Sequence, residues 1–542
     1  MKNMLALIAL IIPICSFAQR SANRPLFDKK TIGEIRLTIP QNNWNDLLDS
    51  MRIYGKNMLE CVVSIDGQTY EQVGVRFRGD KSYQYGQKRN PFVIRLDYRK
   101  KDQTHQEYST IKLSAALRDP SMTREMLFSE IAGKYLPTPQ TAYAKLYVNN
   151  EYLGVFVNVE DVDKKFLKTH YGGSGGNELF KAGVDHKPEV PGDAACKNNI
   201  FGALEYESNP ECYKSNFELH SKYENWESLQ ELTRVLNQDV KKIEDILDVD
   251  RVLWMHALNN AMVNLSSYSG MHSVNYYLYR DNHGRFQPIL WDMNLAFGSF
   301  KNIGQGSDLD LKGLQNLSPL LHADNPLKPL ISKLLADPYY KKVYLAHLRQ
   351  IIDEYFANGW YEKRAQELQG LIVVPYNDDR NKPYSLDEFQ RSLRETIGKK
   401  SRIPGIVELM SKRVRYLKTH PELTNLAPNV SDITFLERSK FDNKRVTNFQ
   451  LTARADRFSR RLTIFYRFKD GDPYKPAVMA DDASAQDLPA GFKQYAIAIE
   501  APAGEDAEME YYIVAENSGA ASFYPPTYTQ KGLKVKLADL NK

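Results

Sequence analysis

At 542 residues, 42% of them apolar, the chain is long enough for roughly two to four domains with sizeable cores. Its 72 basic and 67 acidic residues leave a formal charge of +5. A balance that close argues against a nucleic-acid scaffold, which concentrates basic charge on one face.

Met1-Lys2 is a short basic opening, residues 4–14 are apolar, and Ser16-Phe17-Ala18 precedes Gln19. Small residues at Ser16 and Ala18 fit signal-peptidase cleavage, so residues 1–18 are expected to be a signal peptide. The chain is then exported to the periplasm, the cell surface or the exterior. Cys15 offers a lipoprotein alternative, but Ile14 is a poor fit to the small residue that lipidation needs before it. No later segment approaches transmembrane length, so the mature chain is expected to be soluble. Cleavage leaves Cys61, Cys196 and Cys212. An oxidising compartment permits a Cys196–Cys212 disulfide, and Cys61, in a strand-like run, reads as a buried apolar residue. No Cys-x-x-Cys or His-Glu-x-x-His spacing occurs, which gives zinc little support.

Residues 32–39 alternate as a strand, and residues 41–51 carry Trp44, Leu47 and Leu48 at helical spacing. Strands follow at 61–65, 70–78 and 91–98, with a turn at Asp66-Gly67 and a break at Gly79-Asp80-Lys81-Ser82. Asp119 reads as an N-cap with Pro120 at the first helical position, and Met122, Met126, Phe128 and Ile131 fall on that helix. Strands at 142–148 and 152–159 lead into the acidic exit Glu160-Asp161-Val162-Asp163. Strands, helix, two strands and an acidic exit is the order of a protein-kinase small lobe, whose nucleotide lies against the exit segment. On that scheme Arg95 is the candidate phosphate-binding cation. Glu125 or Glu130 is its partner on the helix, and Glu160 is the cofactor-facing acid of the exit. An exposed strand arginine is the plainer reading of Arg95.

Gly172-Gly173-Ser174-Gly175-Gly176 lacks the Lys-Ser/Thr of a phosphate loop and is expected to be a flexible connection. Lys181, in the short strand Leu179-Phe180-Lys181, reads either as a phosphate contact or as plain surface. Residues 186–212 read as an irregular excursion. Helical spacing returns from residue 223, with Trp226, Leu229, Leu232 and Leu236 on one face. A second helix over 252–263 carries His256, expected to be a core histidine.

That helix delivers the chain to NLSSYSGMHSVNYYLYRDNHGRFQPILWDMNLAFGSF, residues 264–300. An aromatic strand at 276–279 and a second strand running into Trp291-Asp292 are joined by Asp281-Asn282-His283-Gly284, a hairpin signal. The hairpin should set Asn275 beside Asp292. An amide oxygen and a carboxylate are hard ligands suited to Mg²⁺ or Mn²⁺, and protein kinases hold their metal ions with such a pair. A core hairpin with Asp292 capping a turn is the plainer alternative.

Helices at 326–335, 339–356, 361–373 and 386–417 complete a helical lobe, and residues 421–428 read as a linker. Six short strands beyond it, at 433–436, 446–453, 462–468, 495–499, 508–515 and 533–537, suggest an all-β sandwich of immunoglobulin or fibronectin type. Asp481-Asp482 reads as an exposed turn rather than a Ca²⁺ site.

Four stretches together carry a family resemblance. They are Val73-Gly74-Val75-Arg76-Phe77-Arg78-Gly79, the run DPSMTREMLFSEIAGKYLPTPQTAYAKLYVNNEYLGVFVNVEDVDKKFL over residues 119–167, Leu179-Phe180-Lys181, and NYYLYRD…WDMN between Asn275 and Asn294. Over residues 27–423 the chain resembles the CotH family of atypical kinases first known from spore coats. The resemblance implies an α+β chain, with a two-lobed atypical protein-kinase-like fold over 27–422 and the β-sandwich over 430–542. The small lobe would be about 27–167 and the large lobe about 177–422. It further implies ATP with Mg²⁺ or Mn²⁺, phosphate transfer to protein Ser/Thr, and a protein substrate or cell-surface partner. Asn275 and Asp292 match the family's metal ligands, and Arg78-Gly79 matches its Arg-Gly motif.

Three departures accompany the match. The catalytic base, an Asp in many members, falls at Ser266, and a hydroxyl does not accept a proton as a carboxylate does near neutral pH. The second acid of Trp-Asp-x-Asp is Asn294. The usual third-strand Lys falls at Arg95, which keeps the charge but not the shape. These departures leave open a divergent kinase, an impaired pseudokinase, or a binding or structural module at the cell surface.

Overall fold

The computed structural model describes residues 24–536 and Asp539, apart from residues 56, 80–81, 174–175, 184–195, 197–200, 223, 442–444, 457, 486–487, 501 and 503–506. The expected signal peptide therefore lies outside the described residues, as does much of the 186–212 excursion.

Alternating apolar residues build seven strands: β1 (Gly33–Thr38), β2 (Leu59–Ile65), β3 (Gln68–Phe77), β4 (Phe92–Arg95), β5 (Thr110–Ser114), β6 (Thr141–Val148) and β7 (Glu151–Val159). They close into a barrel in the order β1-β2-β3-β4-β5-β7-β6, with β1 and β6 parallel at the closure. Ile35, Val63, Val75, Ile94, Leu113 and Phe156 share its core. Helix α1 (Trp44–Tyr54) adds Trp44 and Leu48 to that core. The Asp66-Gly67 turn has φ of +49° and +93°, and Asp66 accepts the Glu34 N–H at 2.8 Å.

Helix α2 spans Arg124–Ala132, later than the Asp119 cap reading. The Asp119 carboxylate instead accepts from the N–H groups of Ser121 and Arg124 and from the Arg124 guanidinium at 2.6 Å, closing a separate turn. Met122, at φ +60°, cannot sit inside a right-handed helix. Strand β5 has no counterpart in the sequence reading, which took 91–98 as the last strand before the helix.

Helix α3 (Lys164–Tyr171) is capped by Asp163 and ends at Gly172, φ +63°. Beyond it β8 (Leu179–Ala182), β9 (Phe217–Leu219), β10 (Tyr276–Arg280) and β11 (Phe286–Leu290) form a sheet ordered β11-β10-β8-β9. Cys196 and Cys212 are disulfide-bonded, and Cys61 is free and buried. The helical body comprises α4 (Trp226–Gln238), α5 (Ile243–Ile246), α6 (Val249–Ala261), α7 (Leu311–Gln315), α8 (Pro329–Leu335), α9 (Pro338–Ile351), α10 (Trp360–Asp378), α11 (Leu386–Arg391) and α12 (Ile406–Lys418). The helix expected over 386–417 is two, because Ile397 and Ile403 pair across a turn between them. Arg413 of α12 is fully buried and closes the C-terminus of α6, donating to the carbonyls of Asn260, Ala261 and Leu317 at 2.6, 3.1 and 3.0 Å. His256 of α6 is buried beside Tyr268, and burial takes its imidazole down to about 3, which makes it a neutral core residue.

The last region is an antiparallel sheet: β12 (Val430–Phe441), β13 (Arg445–Ala455), β14 (Arg461–Arg467), β15 (Lys475–Asp481), β16 (Lys493–Glu500), β17 (Glu508–Glu516), β18 (Ala521–Tyr524) and β19 (Leu533–Lys536). Its order is β12-β13-β16-β15-β14-β17-β18, with β19 also on β17, and strands from both ends of that order share one core around Leu451, Ile464 and Ile513. Strands β15 and β18 escaped the sequence reading; β15 buries only Met479. The sheet shares a second core with α6 and α9 through Tyr512, Val514, Phe523 and Tyr528. There Tyr528 accepts from the Trp254 indole at 2.8 Å and donates to Asp250 at 2.7 Å, while His347 bonds the other Asp250 oxygen at 2.9 Å. Their rings stack in a column from Trp254 through His347, Phe523 and Tyr528 to Tyr512. Among the described residues no helix is long and apolar enough to cross a membrane.

Candidate functional site

The β10–β11 hairpin is set by its turn. Asp281 accepts the N–H groups of His283 and Arg285 at 2.9 and 3.0 Å, and Gly284 takes φ +79°. The resulting register pairs Tyr276 with Leu290, and one step further the Trp291 N–H donates to the Asn275 carbonyl at 3.2 Å. Asn275 and Asp292 therefore share the open end of the hairpin. Both are left-handed, at φ +61° and +51°. Asn and Asp are the non-glycine residues that take up this conformation most readily.

The Asn275 amide nitrogen donates to the Ser266 carbonyl at 2.9 Å and to its hydroxyl at 3.0 Å, which leaves the amide oxygen as its acceptor. The loop between Ser266 and Asn275 is clamped from behind. The buried Lys328 ammonium donates to the carbonyls of Tyr268 and Gly270 and to the Ser273 hydroxyl, and His322 bonds the Ser269 carbonyl at 3.0 Å. Asp292 accepts from the Asn294 amide at 2.6 Å.

The barrel supplies the cations. The Arg78 guanidinium lies 5.7 Å from the centre of the Trp291 ring, and the Lys112 ammonium lies 4.6 Å from it. Lys112 is ion-paired with Asp161 of the exit segment. Burial lowers the Lys112 ammonium from its usual range, with Asp161 opposing and the Arg78 and Lys181 charges adding to the fall. Burial pushes the Asp161 carboxyl up, but the Lys112 charge and hydrogen bond, with the His220 and Arg78 charges, together hold it below its usual range. Lys181, paired with Glu218 at 3.2 Å, stands opposite Tyr277 across β8 and β10. Gly79 follows Arg78 at φ +85°, and a Cβ there would lie 2.3 Å from the Ser82 hydroxyl.

Glu125, in the first turn of α2, is 3% exposed, and its Oε2 has no hydrogen-bond partner. Helix α2 packs on the turn Met293–Leu295 that directly follows Asp292. Burial, and then the Asp292 charge, push the Glu125 carboxyl up to about 8, against the opposing pull of Arg78 and Ser114. A carboxyl raised from 4.5 keeps its proton in the fold while the unfolded chain loses it. Metal-free protein should therefore lose stability as pH rises from about 4.5 to about 8. Denaturant titrations across that window should show the loss in the wild type and a much flatter profile in Glu125→Gln.

The structure thus places Arg78, Glu125, Ser266, Asn275 and Asp292 near the open end of the hairpin, with Lys181 close enough to Lys112 for its charge to be felt there, and sets Arg95 and Glu160 to other work. Arg95 pairs with Asp97 at 3.0 Å on a half-exposed surface, not with Glu125, while Glu130 pairs with Arg364. Glu160 is buried and accepts from the Gln140 N–H at 3.0 Å and the Tyr108 hydroxyl at 3.2 Å, tying the exit segment to the barrel. The sequence reading missed Lys112 because it missed β5. Lys112 pairs with Val93, two residues along β4 from Arg95, so both cations lie on the same face of the barrel. The -Ile111-Lys112-Leu113- alternation was the available signal.

Asn275 and Asp292 offer two hard oxygen donors at one place, which suits Mg²⁺ or Mn²⁺. Among the described residues no three His, Cys, Asp or Glu side chains gather as a metal cluster.

A protein-family model described as CotH kinase protein matches residues 75–418. No curated protein matches the chain. Among solved structures, it is similar to the carbohydrate binding module of the muscle glycogen-targeting subunit of Protein Phosphatase-1. That likeness has 10% identity and a TM-score of 0.16, and covers 21% of this chain and 82% of that one. The MHC-like MILL2 is similar at 16% identity and a TM-score of 0.12, covering 27% of this chain and 45% of that one. Scores this low carry no functional weight.

Proposed function

Because the chain belongs to the CotH family, described as kinase proteins, we propose that it is an exported kinase-like protein that binds ATP with a divalent cation and transfers phosphate to protein Ser/Thr hydroxyls. The observation that carries this reading is the meeting of Asn275 and Asp292 at the open end of the hairpin, beside the Trp291 ring that Arg78 and Lys112 approach. A bound Mg²⁺ or Mn²⁺ would neutralise phosphate charge. The Asn275 amide oxygen and the Asp292 carboxylate would hold it. Lys112 and Arg78 would meet the phosphate oxygens, with Asp161 keeping Lys112 in position until they arrive. The two-lobed arrangement is part of the same reading: the barrel as the small lobe, the helical body as the large one. The Cys196–Cys212 disulfide supports export, since such bonds persist in oxidising compartments. Partners would be protein substrates or cell-surface proteins, not nucleic acid.

Ser266 sets the rate. Phosphoryl transfer depends mainly on positioning and electrostatics, so a missing base slows the reaction rather than forbidding it. The test is transfer of labelled γ-phosphate from ATP to the protein itself or to a Ser-rich acceptor, with Mg²⁺ and with Mn²⁺. Weak transfer is expected from the wild type. Ser266→Asp should raise it by ~10²–10⁴-fold, the usual range for general acid–base catalysis. The Asn275 amide already points at that position. No transfer by either form with either metal would leave a nucleotide-binding protein without kinase activity.

A further inference from the structure

Two features of the cleft are left over from the reading above. Asn294 stands where the family's second acid is expected, and its amide is spent on Asp292 at 2.6 Å. Glu125 lies across from it on α2, 3% exposed, with one carboxylate oxygen lacking any hydrogen-bond partner. A buried carboxylate oxygen without a partner calls for an explanation. In a kinase small lobe the helix glutamate is ordinarily occupied by the strand lysine. Here that lysine's charge is taken by Asp161, so the carboxyl of Glu125 is released from that duty. The largest neighbouring charge acting on Glu125 is Asp292 itself. Two carboxyl groups set against each other relieve their repulsion either by one keeping its proton or by a cation between them.

We propose that Glu125 is a direct ligand of the divalent cation held by Asp292 and Asn275, supplying from α2 the carboxylate that the chain has lost at Asn294. The proposal rests on the metal-binding reading of the cleft. The resulting donor set is two carboxylates and one amide oxygen, drawn from a helix, a hairpin end and the loop before the hairpin. Mg²⁺ and Mn²⁺ take oxygen donors of this kind, with water and phosphate filling the remaining positions. Asn275 and Asp292 belong to the hairpin, whereas Glu125 stands on α2, which packs into the helical body and on the turn after Asp292, so the cation would be held by two separate segments of the chain.

The experiment is Mn²⁺ binding to the full chain, followed by titration calorimetry and by the electron paramagnetic resonance signal of free Mn²⁺, with no nucleotide and no turnover. Wild type, Glu125→Gln, Asn294→Asp and the double variant are compared. Gln matches the shape of the protonated carboxyl, so Glu125→Gln should fold, as its unfolding midpoint will report. It is expected to weaken Mn²⁺ binding by at least ~10–100-fold, since even groups that only orient metal ligands carry effects of that size. Asn294→Asp, placed in the Glu125→Gln background, should restore most of the affinity by returning the acid to its other position. Should Glu125→Gln bind Mn²⁺ as the wild type does, the inference falls while the Asn275–Asp292 site stands. Weak binding by Glu125→Gln that Asn294→Asp leaves unrelieved would also overturn it, since the loss would then be structural. If the wild type itself binds no Mn²⁺, the metal-binding reading fails, and the Glu125 proposal with it.

Discussion

Asp292→Ala is expected to lower affinity for ATP with Mg²⁺ or Mn²⁺ by at least ~100-fold, a loss of about 2.7 kcal/mol. Asp292 is the charged donor that the hairpin carries to the cleft, and no second acid follows it, because Asn294 occupies that place. The donor that the hairpin end keeps, the Asn275 amide oxygen, is neutral and does not replace a carboxylate against a dication. The substitution should spare the fold. Asp292 is only part-buried, and its carboxylate accepts from Asn294 at the neighbouring turn. Calorimetry on both proteins, with unfolding curves as a control, decides the matter. Equal affinities would remove the hairpin end as the metal and nucleotide site.

Arg413→Met should cost ~3–5 kcal/mol of stability, the size seen when a buried polar group's partners are stranded. Arg413 is wholly buried, and burial takes its guanidinium down to about 10, so it remains charged at neutral pH. It answers carbonyls at the C-terminal end of α6, where the helix dipole favours a cation and the last carbonyls have no helical donor. Methionine fills the volume but takes the donor from the buried Ala261 and Leu317 carbonyls and leaves the Asn260 carbonyl only backbone donors such as the Val263 N–H. Arg413→Lys should recover only part of the loss, because an ammonium cannot reproduce the planar fork that reaches three carbonyls. Urea unfolding of the three proteins gives the ranking. A methionine variant as stable as the wild type would show that α6 is held by its apolar face alone.

Much of the barrel and the hairpin could be read from the chain because their signals are local. The Asp66-Gly67 turn and the Asp281 to Gly284 turn each fix a register between alternating strands. The Asn275–Asp292 convergence follows from the last of these by counting. Elements with little alternation were lost. Strand β5 offers only Ile111 and Leu113, and it lies between a charged loop and the proline that drew attention to residue 119. Losing β5 moved the cleft lysine onto Arg95, on the right face but the wrong strand. Glu160 misled for another reason: an acid in an exit segment looks available until a tyrosine and a backbone N–H from 20 or more residues away claim it. Contacts between distant segments leave no local trace, and the Lys328 clamp on residues 268–273 was invisible for the same reason.

Residues 421–428 have the composition of a hinge, yet the sheet beyond them is not a separate body. The Ser522 hydroxyl and Asn517 amide pin that stretch at Pro428 and Leu426, and the ring column runs from Tyr512 and Tyr528 into Trp254 on α6. Trp254 lies on the same helix that delivers the chain to Asn264, and a helix of that length is a stiff rod about 20 Å long. A break at residue 425 would therefore not release an intact body. It would strip a wall from the rod that aims the Asn275 loop. The outer sheet and the loop that carries Asn275 thus lean on one and the same helix, with α9 as the sheet's second support.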